Sequence, residues 1–360
     1  MDHSDHHHHP HGGTVELAFL LSICSGLATC IGGLVVFVKR LVHLACAKTL
    51  AISLSLSAGV MIFISLTEIF GKSVESYKKG FETVVVNDTT SCRKLGFHFL
   101  NVMEDGISHC SYCDAICDGH AWLAATATFM LGVSLIFGID YVVGKISPAA
   151  HEEFEVCQLN KLQKNASACD CEGVEKIGII KSAKNFEEGL PKDDEIFSGV
   201  SKQQLNRTGV LTAIAISLHN IPDGIATYIG TIGDTRIGAA LAIGVALHNI
   251  PEGIAVAAPV YFATGSRLKA FMWALLSAVA EPVGAIIAWL IVGDGLNPYI
   301  EGIMFGIVCG MMITISFKEL IPSAIKYHSD GNSVILSILC GMGIMALSLI
   351  LFAYAGAHDH

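Results

Sequence analysis

Two copies of one short polar motif lie in long apolar runs of this chain. The first reads His-Asn-Ile-Pro-Asp-Gly over residues 219–224, and the second reads His-Asn-Ile-Pro-Glu-Gly over residues 248–253, 29 residues later. Imidazole, amide and carboxylate groups are costly to bury in apolar surroundings. Their nitrogen and oxygen atoms are the donors that a borderline divalent metal ion accepts, so the two motifs predict a metal site.

Helical spacing brings the polar side chains of each copy together. Positions i, i+1 and i+4 of a helix project within one broad sector. The side chains placed in this way are His219, Asn220 and Asp223 in the first copy and His248, Asn249 and Glu252 in the second. Pro222 and Pro251 have no N–H, so each leaves a carbonyl oxygen one turn earlier without its helical partner. Such oxygens are tolerated at membrane depth where they line a cavity or meet an ion.

Each of these residues also has a simpler interpretation. A single His in an apolar helix usually forms a hydrogen bond within a helix bundle, and a single Pro usually only kinks its helix. Hydrogen bonding within a bundle and helix kinks do not readily explain two copies of the whole motif on consecutive apolar segments. The repetition therefore favours metal binding over packing.

The composition places the motifs in a membrane protein. The chain has 360 residues, of which 52% are hydrophobic and 15% charged, against about 25% charged in soluble domains. Eight apolar segments are long enough to cross a bilayer as helices, at residues 17–38, 50–70, 121–143, 208–229, 237–262, 271–292, 300–317 and 334–355. We therefore predict an all-α polytopic membrane protein with eight transmembrane helices. The net charge of −10 gives no support for binding to nucleic acid, and no cleavable signal peptide is evident.

The distribution of basic residues predicts the orientation of the chain. Sixteen of the 22 Lys and Arg residues fall in the first, third, fifth and seventh connections between the apolar segments. Basic residues concentrate on the cytosolic side of membrane proteins. Both termini are therefore expected outside the cytosol, and the 144–207 segment inside it.

The chain divides accordingly into five parts. We expect a His-rich extracytosolic tail, three transmembrane helices with an outer cysteine-containing loop (71–120), a polar and mostly disordered cytosolic loop, helices four and five with the metal motifs, and helices six to eight. These parts span residues 1–13, 14–143, 144–207, 208–263 and 264–360, respectively. The histidines of the tail are interrupted by other residues, which is unlike a purification tag.

The outer loop carries features of an extracytosolic segment. It holds a glycosylation sequon at Asn87. It also holds four cysteines, namely Cys92, Cys110, Cys113 and Cys117. In an oxidising compartment two disulfides are favoured over a zinc site. The spacing leaves the pairing of these cysteines open.

Three further carboxylates lie within the apolar segments. Glu281, beside Pro282, falls near the middle of the sixth segment, where a lone carboxylate needs a partner, and we expect it to join the metal site as a ligand or bridge. Glu68 lies near the outer end of the second segment, and Glu319 at the inner end of the seventh. Each is either the mouth of a metal pathway or an interfacial carboxylate that reaches water, and the second interpretation is favoured for Glu319.

Small residues mark one stretch of the second apolar segment. Positions 53–59 include three serines, an alanine and a glycine. Such residues suit close packing between membrane helices. They equally suit a narrow polar wall that faces the motif helices, and both interpretations stay open.

The two motif copies resemble the signatures of the ZIP (Zrt/Irt-like) family of divalent metal transporters. Eight spans, outward termini and a long loop between spans three and four fit the same family. Residues 257–264 and 277–284 are similar to the bacterial ZupT-type branch and its plant relatives. The resemblance covers residues 14–143 and 208–356, but neither the tail nor the long loops.

The resemblance implies passage of Zn²⁺, and often of Fe²⁺, Mn²⁺ or Cd²⁺, into the cytosol through a binuclear site. It implies a 3+2+3 bundle, in which helices one to three and six to eight form inverted repeats around helices four and five, with a rocking or elevator motion. In the family pattern one metal position takes His219, Asp223, His248 and Glu252. The second takes Asn220, Asn249 and Glu281, with Asp223 and Glu252 bridging. Asp223 departs from this branch, which usually has Glu there.

The resemblance also bounds the partners and the location. The metal ions are transported substrates, and no cofactor is expected. The other expected partner is the lipid bilayer, with a homodimer left open. The plasma membrane is the expected location, and an endomembrane such as the ER or a vesicle is the alternative.

Two other classes of function are consistent with a buried metal site. An intramembrane metallohydrolase needs three protein ligands, an open water position and a separate base, but the sequence has no His-Glu-x-x-His motif. A metal sensor finds support only in the His-rich tail. Movement of metal across a bilayer distinguishes a transporter from both.

Expression in a eukaryotic host tests the orientation. Asn87 begins a sequon on the predicted outer side, whereas Asn165 and Asn206 begin sequons on the predicted cytosolic side. We expect a glycan on Asn87 alone, provided that it lies far enough from the bilayer for the transferase. Asn87→Gln should then abolish the mobility shift that a glycosidase produces, while Asn165→Gln leaves it intact. A glycan on Asn165 or Asn206 would reverse the orientation.

Overall fold

The computed structural model describes residues 12–38, 41, 47–87, 111–146, 202–292 and 297–356, and all regular structure among these residues is helical. The α-helices defined in this part of the chain are α1 Gly12–Gly33, α2 Ala47–Ile64, α3 Phe70–Asn87, α4 Ser111–Ile146, α5 Lys202–Gly233, α6 Thr235–Thr264, α7 Arg267–Val292, α8 Pro298–Ile315, α9 Ile321–Tyr327 and α10 Gly331–Gly356. A 3-10 turn, Leu34–Phe37, extends α1. Two π-helical turns, Ser65–Ile69 and Ser316–Leu320, join α2 to α3 and α8 to α9.

Seven helical stretches of the described residues are long and apolar enough to cross a membrane. They contain seven of the eight predicted spans. The remaining span lies in α5, whose 32 residues would extend about 48 Å at 1.5 Å per residue. The structure thus supports an all-helical polytopic membrane protein, while the eighth span and the outward termini stay predictions.

The segment 71–120, predicted as an outer loop, is helical over much of its length. α3 continues from the second predicted span to Asn87, and α4 begins at Ser111, ahead of the third predicted span. Ion pairs one turn apart stabilise α3, because Lys72 Nζ and Lys79 Nζ lie 2.5 and 2.8 Å from the carboxylate oxygens of Glu75. The helix therefore extends beyond the apolar run that predicted it.

The long helices pack in two groups. The first group consists of α1, α5, α6 and α7, which pack closely on one another and carry both motifs. The second consists of α2, α3, α4, α8, α9 and α10. The groups meet where α6 packs against α2 and where α5 packs against α8. The 3+2+3 description, which concerns repeats along the chain, stays a prediction.

A one-residue turn makes α5 and α6 antiparallel. Asp234 lies between the two helices and caps α6, since its side chain accepts a hydrogen bond of 2.8 Å from the backbone N–H of Arg236. At the other end, Gly265 has a φ of 67° and terminates α6 in the left-handed conformation. His219 and His248 lie 15 and 14 residues along the chain from Asp234, so the turn sets the two histidines at similar heights on neighbouring helices.

Close contact between α2 and α10 depends on a glycine. A Cβ atom on Gly341 would lie 2.2 Å from the carbonyl oxygen of Leu56, whereas a Cβ atom on Gly343 would meet nothing within 4 Å. Small residues of this kind allow membrane helices to approach one another closely. Of the two interpretations of residues 53–59, this contact supports close packing for the face that meets α10.

The glycine contact can be tested with two neighbouring substitutions. We expect Gly341→Ala to lower the melting temperature of the detergent-purified protein by several degrees, because α2 and α10 must separate to admit the methyl group. Gly343→Ala is the matched control. Both variants gain the same helix propensity, about 1 kcal/mol, so their difference reports the crossing alone. Equal melting temperatures would contradict the close packing.

Candidate metal centre

All seven residues predicted as metal ligands are buried inside the bundle. The first motif places three of them on α5, the second places three on α6, and Glu281 lies on α7. None of the seven is more than 3% exposed. The prolines of both motifs lie within continuous helices, as does Pro282 beside Glu281. Because α5, α6 and α7 pack on one another, the seven side chains share one interior.

His248 has the hydrogen bonding of a metal-binding imidazole. Its Nδ1 lies 3.0 Å from the carbonyl oxygen of Gly244, and a carbonyl can only accept, so Nδ1 carries the proton. Metal-binding histidines commonly donate their second ring nitrogen in this way. Its Nε2 lies 3.2 Å from Asp223 Oδ2, so this nitrogen of the second motif faces the carboxylate of the first.

His219 meets a carboxylate from the second helix group. Its Nε2 lies 2.7 Å from Oε2 of Glu319, which stands in the π-helical turn after α8. The side chain of Glu319 is 30% exposed. Glu319 is thus partly exposed, as an interfacial carboxylate would be, and it also contacts the first motif, so both interpretations of this residue stay predictions.

The two motif asparagines are held in matching ways. Asn220 Nδ2 donates to the carbonyl oxygen of Ser277 on α7 at 2.9 Å. Asn249 Nδ2 donates to the carbonyl oxygen of Ser25 on α1 at 3.0 Å and to Glu281 Oε2 at 2.8 Å. These partners accept hydrogen bonds, so they orient each amide with its nitrogen toward them. The Oδ1 atom of each amide is buried and has no protein partner.

Glu252 connects the two helix groups. Ser57 of α2 donates to Glu252 Oε1 and to the carbonyl oxygen of His248, both at 3.2 Å. Glu252 also interacts electrostatically with both imidazoles and with Asp223. The serines of residues 53–59 thus supply a polar contact to the motif helices as well as close packing. Sequence patterns alone do not identify which serine makes it.

Glu281 is fully engaged by neighbouring helices. Its Oε1 accepts a short hydrogen bond from the Ser25 hydroxyl of α1, and its Oε2 accepts from Asn249. It also interacts electrostatically with Asp223 and Glu252. The structure therefore brings Glu281 to the motif residues, and it adds Ser25, which the sequence did not single out.

The unpartnered atoms of this cluster are metal-binding types. Five buried side-chain atoms of the motifs have no protein partner, namely His219 Nδ1, Asn220 Oδ1, Asp223 Oδ1, Asn249 Oδ1 and Glu252 Oε2. A buried polar atom without a partner costs about 1–3 kcal/mol, and nitrogen and oxygen atoms of these types are ligands that a divalent cation accepts. The donor chemistry of the cluster thus fits a divalent metal ion.

The polar cluster also has an internal pseudo-twofold symmetry. A Cβ on Gly224 of α5 would lie 1.9 Å from the Glu281 carbonyl oxygen, and a Cβ on Gly253 of α6 would lie 2.0 Å from that of Thr29 on α1. The pair Asn220 and Ser277 likewise matches the pair Asn249 and Ser25, with the same offsets in numbering. The relation exchanges α5 with α6 and α7 with α1. Thr29 consequently occupies the position equivalent to Glu281, and its buried hydroxyl has no protein partner.

The side chains are not already gathered in a coordination shell. Among the described residues, no three His, Cys, Asp or Glu side chains are close enough to form a metal-binding group. Each imidazole is instead paired with one carboxylate. Binding by all of the predicted ligands therefore requires these pairs to separate and the side chains to rearrange.

The remaining predicted residues lie apart from this cluster. Glu68 is half-buried in the π-helical turn after α2, where it interacts with Lys72. Asn87 ends α3, and the rest of its sequon lies outside the described residues. Cys117 is buried on α4, while Cys92, Cys110 and the side chain of Cys113 lie outside the description. The disulfides and the glycan stay predictions, as do the properties of residues 1–11 and 147–201.

Comparison with known proteins identifies related chains. The sequence profile described as ZIP zinc transporter matches residues 95–349. The chain is 35% identical over 340 residues to the zinc transporter ZupT of Nitratidesulfovibrio vulgaris, which covers 94% of this chain and 98% of that protein. It is 36% identical over 337 residues to zinc transporter ZupT of Oceanobacillus iheyensis, with the same coverage of both chains. The corresponding protein of Xanthomonas axonopodis pv. citri is 34% identical over 340 residues and matches over 94% of this chain and 96% of its own length.

Zinc binding should stabilise the purified protein. An ion that binds only the folded state adds about 2.7 kcal/mol at 100 times its Kd, so Zn²⁺ should raise the melting temperature. Glu252→Gln keeps the size of the side chain but removes its charge, and we expect a much smaller zinc-dependent rise. Glu82→Gln, a partly exposed position on α3, is the control. A full rise in Glu252→Gln would exclude this carboxylate from the metal site.

Proposed function

Because this chain belongs to the ZIP zinc transporter family, we propose that it carries divalent metal ions, Zn²⁺ first, across a membrane into the cytosol. The observation that carries the proposal is the buried cluster in which two antiparallel motifs present unpartnered nitrogen and oxygen atoms. Such a cluster near the middle of a membrane bundle is a metal pathway rather than a structural device. Membership of a transporter family also favours transport over the metallohydrolase and the sensor.

The proposed site holds two ions. His219, Asp223, His248 and Glu252 would form one position. Asn220, Asn249 and Glu281 would form the second, with Asp223 and Glu252 shared. The contact of His248 with Asp223 and the free Oδ1 atoms of both asparagines support this division. Mixed nitrogen and oxygen ligands also allow Fe²⁺, Mn²⁺ and Cd²⁺ as substrates, and they release an ion more readily than a thiolate cage.

We propose that the four helices α1, α5, α6 and α7 move as a unit against the second group. Close contacts at Gly224 and Gly253 hold these four helices together. Two polar contacts between the groups instead involve atoms of the proposed metal site, since Glu319 reaches His219 and Ser57 reaches Glu252. Metal binding at His219 and Glu252 competes with these contacts and thereby couples occupancy to motion.

The direction of transport follows from the predicted orientation. Glu319 lies at the predicted cytosolic end of α8 and contacts His219, so it is the proposed exit, and Glu68 is the proposed outer mouth. At a plasma membrane the potential favours cation entry by about 2.3 kcal/mol per charge per 100 mV. We propose that location, with eight spans and both termini outside, and an endomembrane as the alternative.

Metal uptake into proteoliposomes tests the proposal, and Asp223 is its most informative position. Asp223 Oδ2 faces His248 while Oδ1 is unpartnered, so removal of its charge in Asp223→Asn should nearly abolish Zn²⁺ uptake. Asp223→Glu keeps the charge but lengthens the side chain by one methylene. It should retain transport and change the ranking among Zn²⁺, Fe²⁺, Mn²⁺ and Cd²⁺, because metal–oxygen bonds of about 2.0–2.2 Å leave little slack.

The controls separate transport from folding. Glu82→Gln should transport like the parent protein, and each variant should be compared at equal reconstituted amounts. Normal uptake by Asp223→Asn, or unchanged uptake of every metal by Asp223→Glu, would remove Asp223 from the shared position. Zinc binding without uptake by the parent protein would point to a sensor instead.

A further inference from the structure

We propose that Ser25 of α1 is a positioning residue for the metal site, which holds Glu281 and Asn249 in the orientation that metal binding requires. The inference rests on the proposed function and deepens it. Ser25 belongs to neither motif and lies on a helix that carries none of the predicted ligands. Its hydroxyl oxygen lies within hydrogen-bond distance of Glu281 Oε1 and, at 2.8 Å, of the Leu21 carbonyl oxygen within α1. We assign its single proton to Glu281, because an ionised carboxylate is the stronger acceptor. Its carbonyl oxygen accepts from Asn249 Nδ2 at 3.0 Å.

The hydroxyl contact restricts a flexible ligand. A glutamate side chain has three rotatable bonds, and the carboxylate of Glu281 is held at both ends, by Ser25 at Oε1 and by Asn249 at Oε2. Each carboxylate oxygen has two lone pairs, so each retains one for a metal ion while it accepts a hydrogen bond. The Ser25 hydroxyl therefore orients Glu281 without blocking its coordination.

The carbonyl contact orients a second ligand. Both N–H groups of the Asn249 amide are used, one by the Ser25 carbonyl and the other by Glu281. Both partners are hydrogen-bond acceptors, so a rotation that exchanged the amide nitrogen and oxygen of Asn249 would lose both hydrogen bonds. Asn249 Oδ1 is consequently the free atom, and it is the atom that a divalent metal would use. Ser25 thus sets the direction of two proposed ligands at once.

The pseudo-twofold symmetry shows that the hydroxyl contact does not follow from packing alone. Ser277 is the equivalent of Ser25, and its carbonyl oxygen likewise accepts from a motif asparagine. On that side, however, the position equivalent to Glu281 is occupied by Thr29, which offers no carboxylate. Of the two equivalent serines, only Ser25 therefore has a carboxylate at the matching position for its hydroxyl to contact. That carboxylate, Glu281, is the charged ligand of the proposed second metal position.

The close approach of α1 to α7 supports the same arrangement. A Cβ atom on Gly26 would lie 2.8 Å from the Ala278 carbonyl oxygen and 3.2 Å from Glu281 Oε2. Pro282 has no N–H to bond the Ala278 carbonyl, so α7 leaves that oxygen open to its neighbour. The small residue beside Ser25 lets α1 come near enough for a short hydroxyl group to reach the carboxylate.

Ser25→Ala tests the proposal, with Ser22→Ala as the matched control. Ser22 is equally buried on the same helix, and both hydroxyls lie near the backbone carbonyl oxygen four residues earlier, that of Ala18 for Ser22 and that of Leu21 for Ser25. The two serines differ in the carboxylate of Glu281, which lies against Ser25. Loss of a residue that orients a metal ligand typically costs about 10–100-fold in affinity or activity. We expect Ser25→Ala to raise the KM for Zn²⁺ uptake and the Kd from equilibrium dialysis of the purified protein by about that factor, and Ser22→Ala to change neither.

Two further variants separate positioning from a structural role. In a Glu281→Ala background, Ser25→Ala should add no further loss of Zn²⁺ affinity, because the group that it orients is gone. Without zinc, Ser25→Ala should melt somewhat below Ser22→Ala, because Glu281 loses a buried donor, so the zinc affinities and not the melting temperatures carry the comparison. Should Ser25→Ala fail to fold, Ser25→Cys replaces the hydroxyl by a poor donor of similar size and should weaken Zn²⁺ binding in the same direction.

The outcomes are distinguishable from those for the proposed function. Absence of uptake by the parent protein counts against transport, while the dialysis measurement still reports on Ser25. The positioning role is overturned if Ser25→Ala binds Zn²⁺ like Ser22→Ala, or if Ser25→Cys binds Zn²⁺ normally. It is also overturned if the loss of Zn²⁺ affinity in the double variant equals the product of the losses in Ser25→Ala and Glu281→Ala.

Discussion

Three carboxylates share the interior of this helix bundle, and the surrounding structure is arranged around their charge. Asp223, Glu252 and Glu281 interact with one another, and the groups that face them in the described part of the chain are imidazoles, amides and hydroxyls. Carboxylates buried together without a cation repel one another and lose hydration. The histidines and hydrogen-bond donors offset part of this cost, and divalent ions would offset the rest. An ion is therefore part of the energetics of the fold as well as its cargo.

This constraint explains why the helices around the motifs approach so closely. Ser25 and Ser277 contact motif residues at helix crossings where Gly26 and Gly224 place no Cβ atom between the helices. Larger residues at the crossings would separate the helices and leave the carboxylates without donors. Close packing and polar satisfaction thus depend on the same contacts, which is consistent with the small residues found where membrane helices meet.

The sequence predicted the site where chemistry and spacing are local. The two motifs and Glu281 were identified because carboxylates and imidazoles are rare in apolar segments, and all of them lie in one cluster. Ser25 could not be identified in this way. Serine hydroxyls in helices commonly bond to their own backbone, as Ser22 does, and the sequence does not distinguish the two. The contact of Glu319 with His219 was not predicted, because it depends on the rotation of two helices from different groups.

The limits of the fold prediction have a similar origin. Apolar runs located the helices, but they placed the end of the second span at residue 70, whereas charged pairs continue the helix to Asn87. The grouping of α1 with α5, α6 and α7 is non-local. It depends on glycines that allow close contact with carbonyl groups of other helices. The sequence alone does not show which carbonyl group each glycine faces.

The pseudo-twofold symmetry of the motifs has a consequence for the energetics of a transport cycle. α5 and α6 run in opposite directions and carry nearly the same residues, so an ion at their centre meets similar donors toward either face of the membrane. A site with this symmetry does little by itself to favour transport in one direction. The free energy of an ion bound there would change little when access to the site switches from one side of the membrane to the other. Net flux then follows the concentrations and the electrical field. Asymmetry enters through the positions that break the pairing, with Asp223 opposite Glu252 and Thr29 opposite Glu281. It also enters through contacts from the second helix group, in which Glu319 reaches His219 and Ser57 reaches Glu252.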